Sequence, residues 1–206
     1  MSAAVESADR RPSAVTQAPV EALERARVDL AADESREFRR QGMVLRAYLG
    51  AAMAVATGYA VYFWSLRESP WADPAYGWAA VAALAVALGM AAALLFDLRG
   101  HRATAAILSQ TVTIAPVVYC SAVFSVEAGF GSYLFIGALG VVVFVPEGRQ
   151  RTRVAIVATL VLAIVVMQVL FTAANAIAPL PAAQSAALTT FNRTVMTITL
   201  FALAFL

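Results

Sequence analysis

The sequence predicts an all-α, polytopic membrane protein: six transmembrane helices preceded by a cytoplasmic N-terminal helix. Three observations predict it. Of the 206 residues, 61% are hydrophobic and 14% charged, and the mean hydropathy is +0.75, whereas a soluble domain carries about 25% charged residues. The charge is segregated, with residues 1–46 holding eight Arg and eight acidic residues out of 28 charges in all. Six apolar stretches follow, at 47–66, 78–96, 103–125, 130–146, 154–178 and 187–206, and Arg193 is the one charge inside them. A hydrocarbon core of ~30 Å takes about 20 apolar residues per helix. A soluble six-helix bundle would need a polar face on each helix, and Ala79–Leu95 has no polar side chain.

Met1–Pro19, rich in Ala, Ser and Pro, reads as a disordered tail (1–19). Residues 20–46 read as a juxtamembrane helix, with Glu21/Arg25 at i,i+4 and Glu24/Arg27 and Asp33/Arg36 at i,i+3. No apolar run in this zone is long enough for a signal peptide, so the amino terminus is expected in the cytoplasm. The transmembrane domain is then 47–206. Arg36, Arg39, Arg40 and Arg46 precede span 1, Arg99 and Arg102 follow span 2, and Arg149, Arg151 and Arg153 follow span 4. The opposite loops carry only Arg67, so the positive-inside rule puts the nine in the cytoplasm of a cell membrane. Trp64, Trp71, Tyr76 and Trp78 crowd the outer ends of spans 1 and 2 as an aromatic belt.

Polar residues inside the spans are the candidate working parts. Span 3 carries Gln110, Thr113 and Pro116. The proline frees the carbonyl of Val112 and predicts a kink, and Thr113 is expected to bond that region. The three form a polar cluster whose default use is packing between helices, with a signal pocket as the sharper reading. Arg193 lies about 9 Å into span 6 at 1.5 Å per residue. It is expected either to snorkel to the outer surface or to pair with Glu127 in the loop between spans 3 and 4. Glu127 is alternatively an outer cation ligand, with Gln168 and Asn175 as neutral helpers. Small residues at spacing four, Gly50/Ala54/Gly58 and Ala85/Gly89/Ala93, permit close helix approach.

Several chemistries are excluded. One Cys and one His supply neither a disulfide framework nor a zinc site. There is no phosphate-binding loop, no HExxH and no G-x-S-x-G. A net charge of +2 without a basic, aromatic-interleaved stripe argues against nucleic acid. This chain is expected to be no enzyme by itself and to hold no metal or cofactor. The expected partner is the lipid bilayer.

The segment from Val126 to Arg149 has an acidic-Ala-Gly turn (Glu127, Ala128, Gly129), an aromatic pair shortly after it and a charged inner loop, Pro-Glu-Gly-Arg, after the span. With six spans, an Arg-rich tail, small outer loops and an Asn-bearing sixth span (Asn192), it resembles the six-helix membrane domains of bacterial class III adenylate cyclases. The resemblance covers most of residues 40–206. It implies a membrane anchor, sensor and dimerisation module, acting as a homodimer in cyclic AMP signalling. The regulated cyclase domain is expected as a fused cytoplasmic output domain after Leu206. Related membrane domains precede histidine kinases and diguanylate cyclases, so those outputs stay open. A stand-alone six-span transporter is a further alternative. It is disfavoured because no ionisable or broken-helix element lies at mid-membrane.

Overall fold

A computed structural model describes residues 14–70, 72–145 and 147–204. The chain divides into two units, residues 1–40 and 41–206. Of the expected disordered tail, residues 1–13 lie outside the described residues, and the helix is already formed from Ala14. The described residues form helices and turns without a strand: α1 (Ala14–Ser65), α2 (Pro74–Leu98), α3 (Arg102–Phe124), α4 (Ser132–Phe144), α5 (Gln150–Leu170) and α6 (Ala182–Ala204), with short 3-10 turns between them. The expected juxtamembrane helix and the first span are one uninterrupted element, since nothing between 20 and 66 breaks a helix.

Four helical segments are long and apolar enough to cross a membrane: Phe38–Glu68, Pro74–Leu98, Arg102–Phe124 and Gln150–Leu170. Large apolar side chains point outward from them, among them Val61, Trp64, Trp78, Leu88, Leu162 and Val169. Water would not tolerate so much outward apolar surface, and a bilayer requires it. The fold is therefore that of an α-helical membrane protein. At 13 residues α4 is shorter, about 20 Å of helix. α6 is diluted by Asn192, Arg193 and five threonines.

Local chemistry explains the helix ends. The Asp73 side chain caps α2 by accepting from the amide of Ala75 at 2.7 Å, and Pro74 occupies the first turn. α2 closes in a Schellman motif. Gly100, at φ +86°, donates to the Asp97 carbonyl at 2.9 Å, and His101 donates to Phe96 at 2.9 Å. The His101 ring also meets the Phe96 ring edge-on, which is the contact that accompanies this motif. The turn folds α3 back along α2, and the two lie close where Gly89 faces Val112; a Cβ at Gly89 would collide with that valine.

The fifth span differs from the expected 154–178. Its helix stops at Leu170, and residues 171–181 turn back into the protein. The amides of Ile177 and Ala178 donate to the carbonyls of Ala122 and Val123, each at 3.0 Å. Those carbonyls belong to the last turn of α3 and have no partner within their own helix. The Val126 amide donates to Phe171 at 2.7 Å in the same knot of backbone. Pro179 disfavours helical conformation only at Ala178, so it marks the far end of the apolar run and does not set the stop at Leu170.

Candidate functional site

Two buried polar centres lie within residues 41–206. The first is built on Asn192, fully buried in α6. Tyr133 of α4 donates its hydroxyl to Asn192 Oδ1 at 2.9 Å. The Tyr59 hydroxyl of α1 donates to the same oxygen, and the two phenol oxygens are 3.1 Å apart. Asn192 Nδ2 donates to the carbonyl of Ala128 at 2.6 Å. Ala128 ends the 3-10 turn Val126–Ala128, which Ser125 enters at φ +80° and Gly129 leaves at φ +86°. Gly129 has a second duty, because a Cβ there would press on Asn192 at 3.2 Å. One amide thus joins α1, α4, α6 and the turn after α3.

An aromatic shell surrounds this knot. Phe63 stacks on Phe124 at 4.8 Å between centroids and Tyr76 on Phe124 at 5.6 Å, while Phe130 tilts against Tyr59 and Phe124. Such pairs add about 0.5–1.5 kcal/mol each beyond their buried area.

The second centre is ionic. Asp97, at the end of α2, has a fully buried carboxylate. It accepts from Arg46 Nε at 2.6 Å and from Arg102 Nε at 3.3 Å. The Arg102 guanidinium lies against α1 where residue 42 is glycine; a Cβ at Gly42 would occupy its place. Here α1, α2 and α3 are clamped by one carboxylate between two cations.

A cavity of about 320 Å³ runs along α1 between these two centres, open on one side. One wall is a stripe of α1 from Val44 through Tyr48, Ala52, Val55 and Tyr59 to Phe63. Val86 and Met90, Thr113 and Cys120, Tyr133, and Val195, Ile198 and Thr199 supply the rest from α2, α3, α4 and α6.

A comparison with known protein families, with curated proteins and with solved structures finds no match for this chain.

The residues singled out from the sequence fall in several places. Gln110 is buried against α4, where Gly137 and Gly140 leave room for its amide. Its Nε2 donates to Ser109 Oγ at 3.2 Å, and its Oε1 has no partner. Thr113 bonds the Gln110 carbonyl at 2.8 Å, not the Val112 carbonyl freed by Pro116, because a threonine hydroxyl in a helix reaches back three or four residues. Glu127 and Arg193 are both exposed, and among the described residues no ion pair joins them. The turn and α6 are linked instead by the Thr189 hydroxyl, which donates to the Glu127 carbonyl at 2.8 Å, and by Asn192. Gln168 and Asn175 are exposed, and Asn175 Nδ2 donates to the Leu170 carbonyl at 3.3 Å, closing the end of α5. Among the described residues no group of three His, Cys, Asp or Glu comes together as a metal site.

Tyr59, Tyr133 and Asp97 were not singled out from the sequence. The available signal was chemical: a tyrosine inside an apolar run, or an aspartate at its end, must find a partner for its polar atoms.

Proposed function

We propose that residues 41–206 form a six-span sensor and dimerisation domain that regulates an adenylate cyclase catalytic domain in cis, with its amino terminus in the cytoplasm. The resemblance around Glu127–Arg149 supplies the output. The observation that carries the sensor reading is the Asn192 knot. It couples an inter-helix turn to α6, the helix expected to lead to the output domain, through directional bonds in a site shielded from water. Such a joint transmits a shift of the turn to α6 better than apolar packing alone, since hydrogen bonds fix distance and register. The arginine asymmetry supports the orientation.

The test fuses the chain to a class III cyclase catalytic domain in bacteria lacking their own cyclase. Asn192→Ala and Tyr133→Phe should change cyclic AMP output by several-fold at equal membrane abundance. Output that stays at the parent level in both variants, or a fusion that never makes cyclic AMP, would sink the reading.

A further inference from the structure

The cavity along α1 has a length, a position and a hydrogen-bonding character that together specify a ligand class. From Val44 to Phe63 it follows about 28 Å of helix at 1.5 Å per residue. A space this long and of only about 320 Å³ is narrow, though within the range of about 300–1,000 Å³ that ligand sites occupy. Its walls are apolar apart from a few hydroxyls, an amide-flanked tyrosine and a thiol. Ala51 and Ile198, which line it, are exposed on the apolar surface of the bundle, so a path from lipid is open.

Four hydroxyl protons on its walls are committed. Tyr59 and Tyr133 both give theirs to Asn192 Oδ1. Thr113 gives its proton to the Gln110 carbonyl and Thr199 gives its own to Val195. Tyr48 stands beside Gln110, whose buried Oε1 awaits a donor. The Tyr48 hydroxyl, eleven residues along α1 from Tyr59, and the weak Cys120 thiol are left. What remains at the Tyr59–Tyr133 end is acceptor capacity, since each phenol oxygen keeps lone pairs. A polar group arriving at that end must therefore donate a hydrogen bond. A ketone, ester or carboxylate would meet oxygen against oxygen, and the carboxylate would also bury an unpaired charge.

We propose that this cavity binds a single-chain, hydroxyl-terminated lipid taken up from the bilayer, its hydroxyl at Tyr59 and Tyr133 and its chain lying along α1 toward Val44. From Tyr59 to Val44 is about 22 Å of helix, room for a chain of sixteen carbons. The ligand would touch α1 and α6 together, which deepens the sensor reading by naming what is sensed, but binding itself does not depend on any output domain.

The experiment uses the full chain in nanodiscs with tritiated 1-hexadecanol, competed by unlabelled hexadecanol, methyl palmitate and palmitate. Saturable binding of hexadecanol is expected, with methyl palmitate about tenfold weaker, the worth of one well-made hydrogen bond. Tyr133→Phe should erase that preference while leaving ester binding unchanged, and Ala56→Phe, which fills the cavity from α1, should abolish binding of both. Tyr133→Phe keeps the ring and serves as the decisive variant if Ala56→Phe fails to fold. Non-saturable uptake, or an ester or carboxylate binding as well as the alcohol, would overturn the proposal. Cyclic AMP output of the cyclase fusion is read separately: binding without a change in output strikes the sensor reading and leaves the site standing.

Discussion

At the residue scale, the two polar centres carry most of what is specific about this bundle. Asn192 satisfies two phenols and a carbonyl at once. Asn192→Ala should destabilise the protein by about 1–3 kcal/mol, because it removes the partner of two phenols and a buried carbonyl. Thermal unfolding in mild detergent checks this, and an unchanged midpoint would show that the knot is not a stabilising joint. Asp97 tests the ionic clamp in the same way. Asp97→Ala removes the carboxylate that both guanidiniums share. Arg46 keeps nearly half of its side chain exposed, which moderates the loss to about 2–4 kcal/mol. Added Arg46→Ala should recover part of that loss by removing one of two neighbouring like charges. A double variant worse than the sum of its parts would contradict the clamp. Asn192 was legible in the sequence only through the resemblance of its span. Tyr59 and Tyr133 were not, because a run holding Tyr59, Tyr62, Phe63 and Trp64 gives no sign of which ring turns inward.

At the element scale, the helices were legible because composition alone decides them, while their ends and seams depend on contacts from elsewhere. Hydropathy continues smoothly past Leu170, so the fifth span read as far as residue 178. What stops it is the demand of Ala122 and Val123 at the end of α3 for donors, a tertiary need that periodicity does not encode. The small-residue patterns were legible but their use was not. Gly89 is a seam residue, its missing Cβ making room for Val112, whereas Gly50 and Gly58 face open space. Gly89→Ala should therefore cost about 1–3 kcal/mol by forcing α2 and α3 apart. Gly58→Ala should be neutral or gain up to about 1 kcal/mol from helix propensity. Equal effects of the two substitutions on thermal stability would mean that the α2–α3 seam tolerates the extra methyl group.

At the scale of the whole molecule, the open face of α1 meets the question of assembly. Ala54, Gly58 and Val61 lie exposed along one stripe of the helix, with no side chain of the bundle within reach of a Cβ at Gly58. In a bilayer, helices associate by close van der Waals approach, which small residues permit and large ones prevent. A second copy of the chain is the partner that the proposed sensor reading requires, and this stripe is where two backbones could come close. The proposed orientation places one end of the stripe at the outer surface. Glu68→Cys, exposed just beyond it, should in a Cys120→Ser background react with an impermeant thiol reagent on intact cells, and Arg27→Cys should not. The reverse pattern would invert the topology. With that settled, Val61→Cys should form a disulfide-linked dimer on oxidation of native membranes. Gly58→Leu, added to it, should abolish the cross-link by holding the helices apart, while leaving the thermal midpoint of the detergent-extracted monomer unchanged or slightly raised by helix propensity, because among the described residues nothing lies within 4 Å of a Cβ there. Cross-linking that survives Gly58→Leu would move the dimer contact to another face, and a fall in monomer stability would mean that the stripe is covered from within.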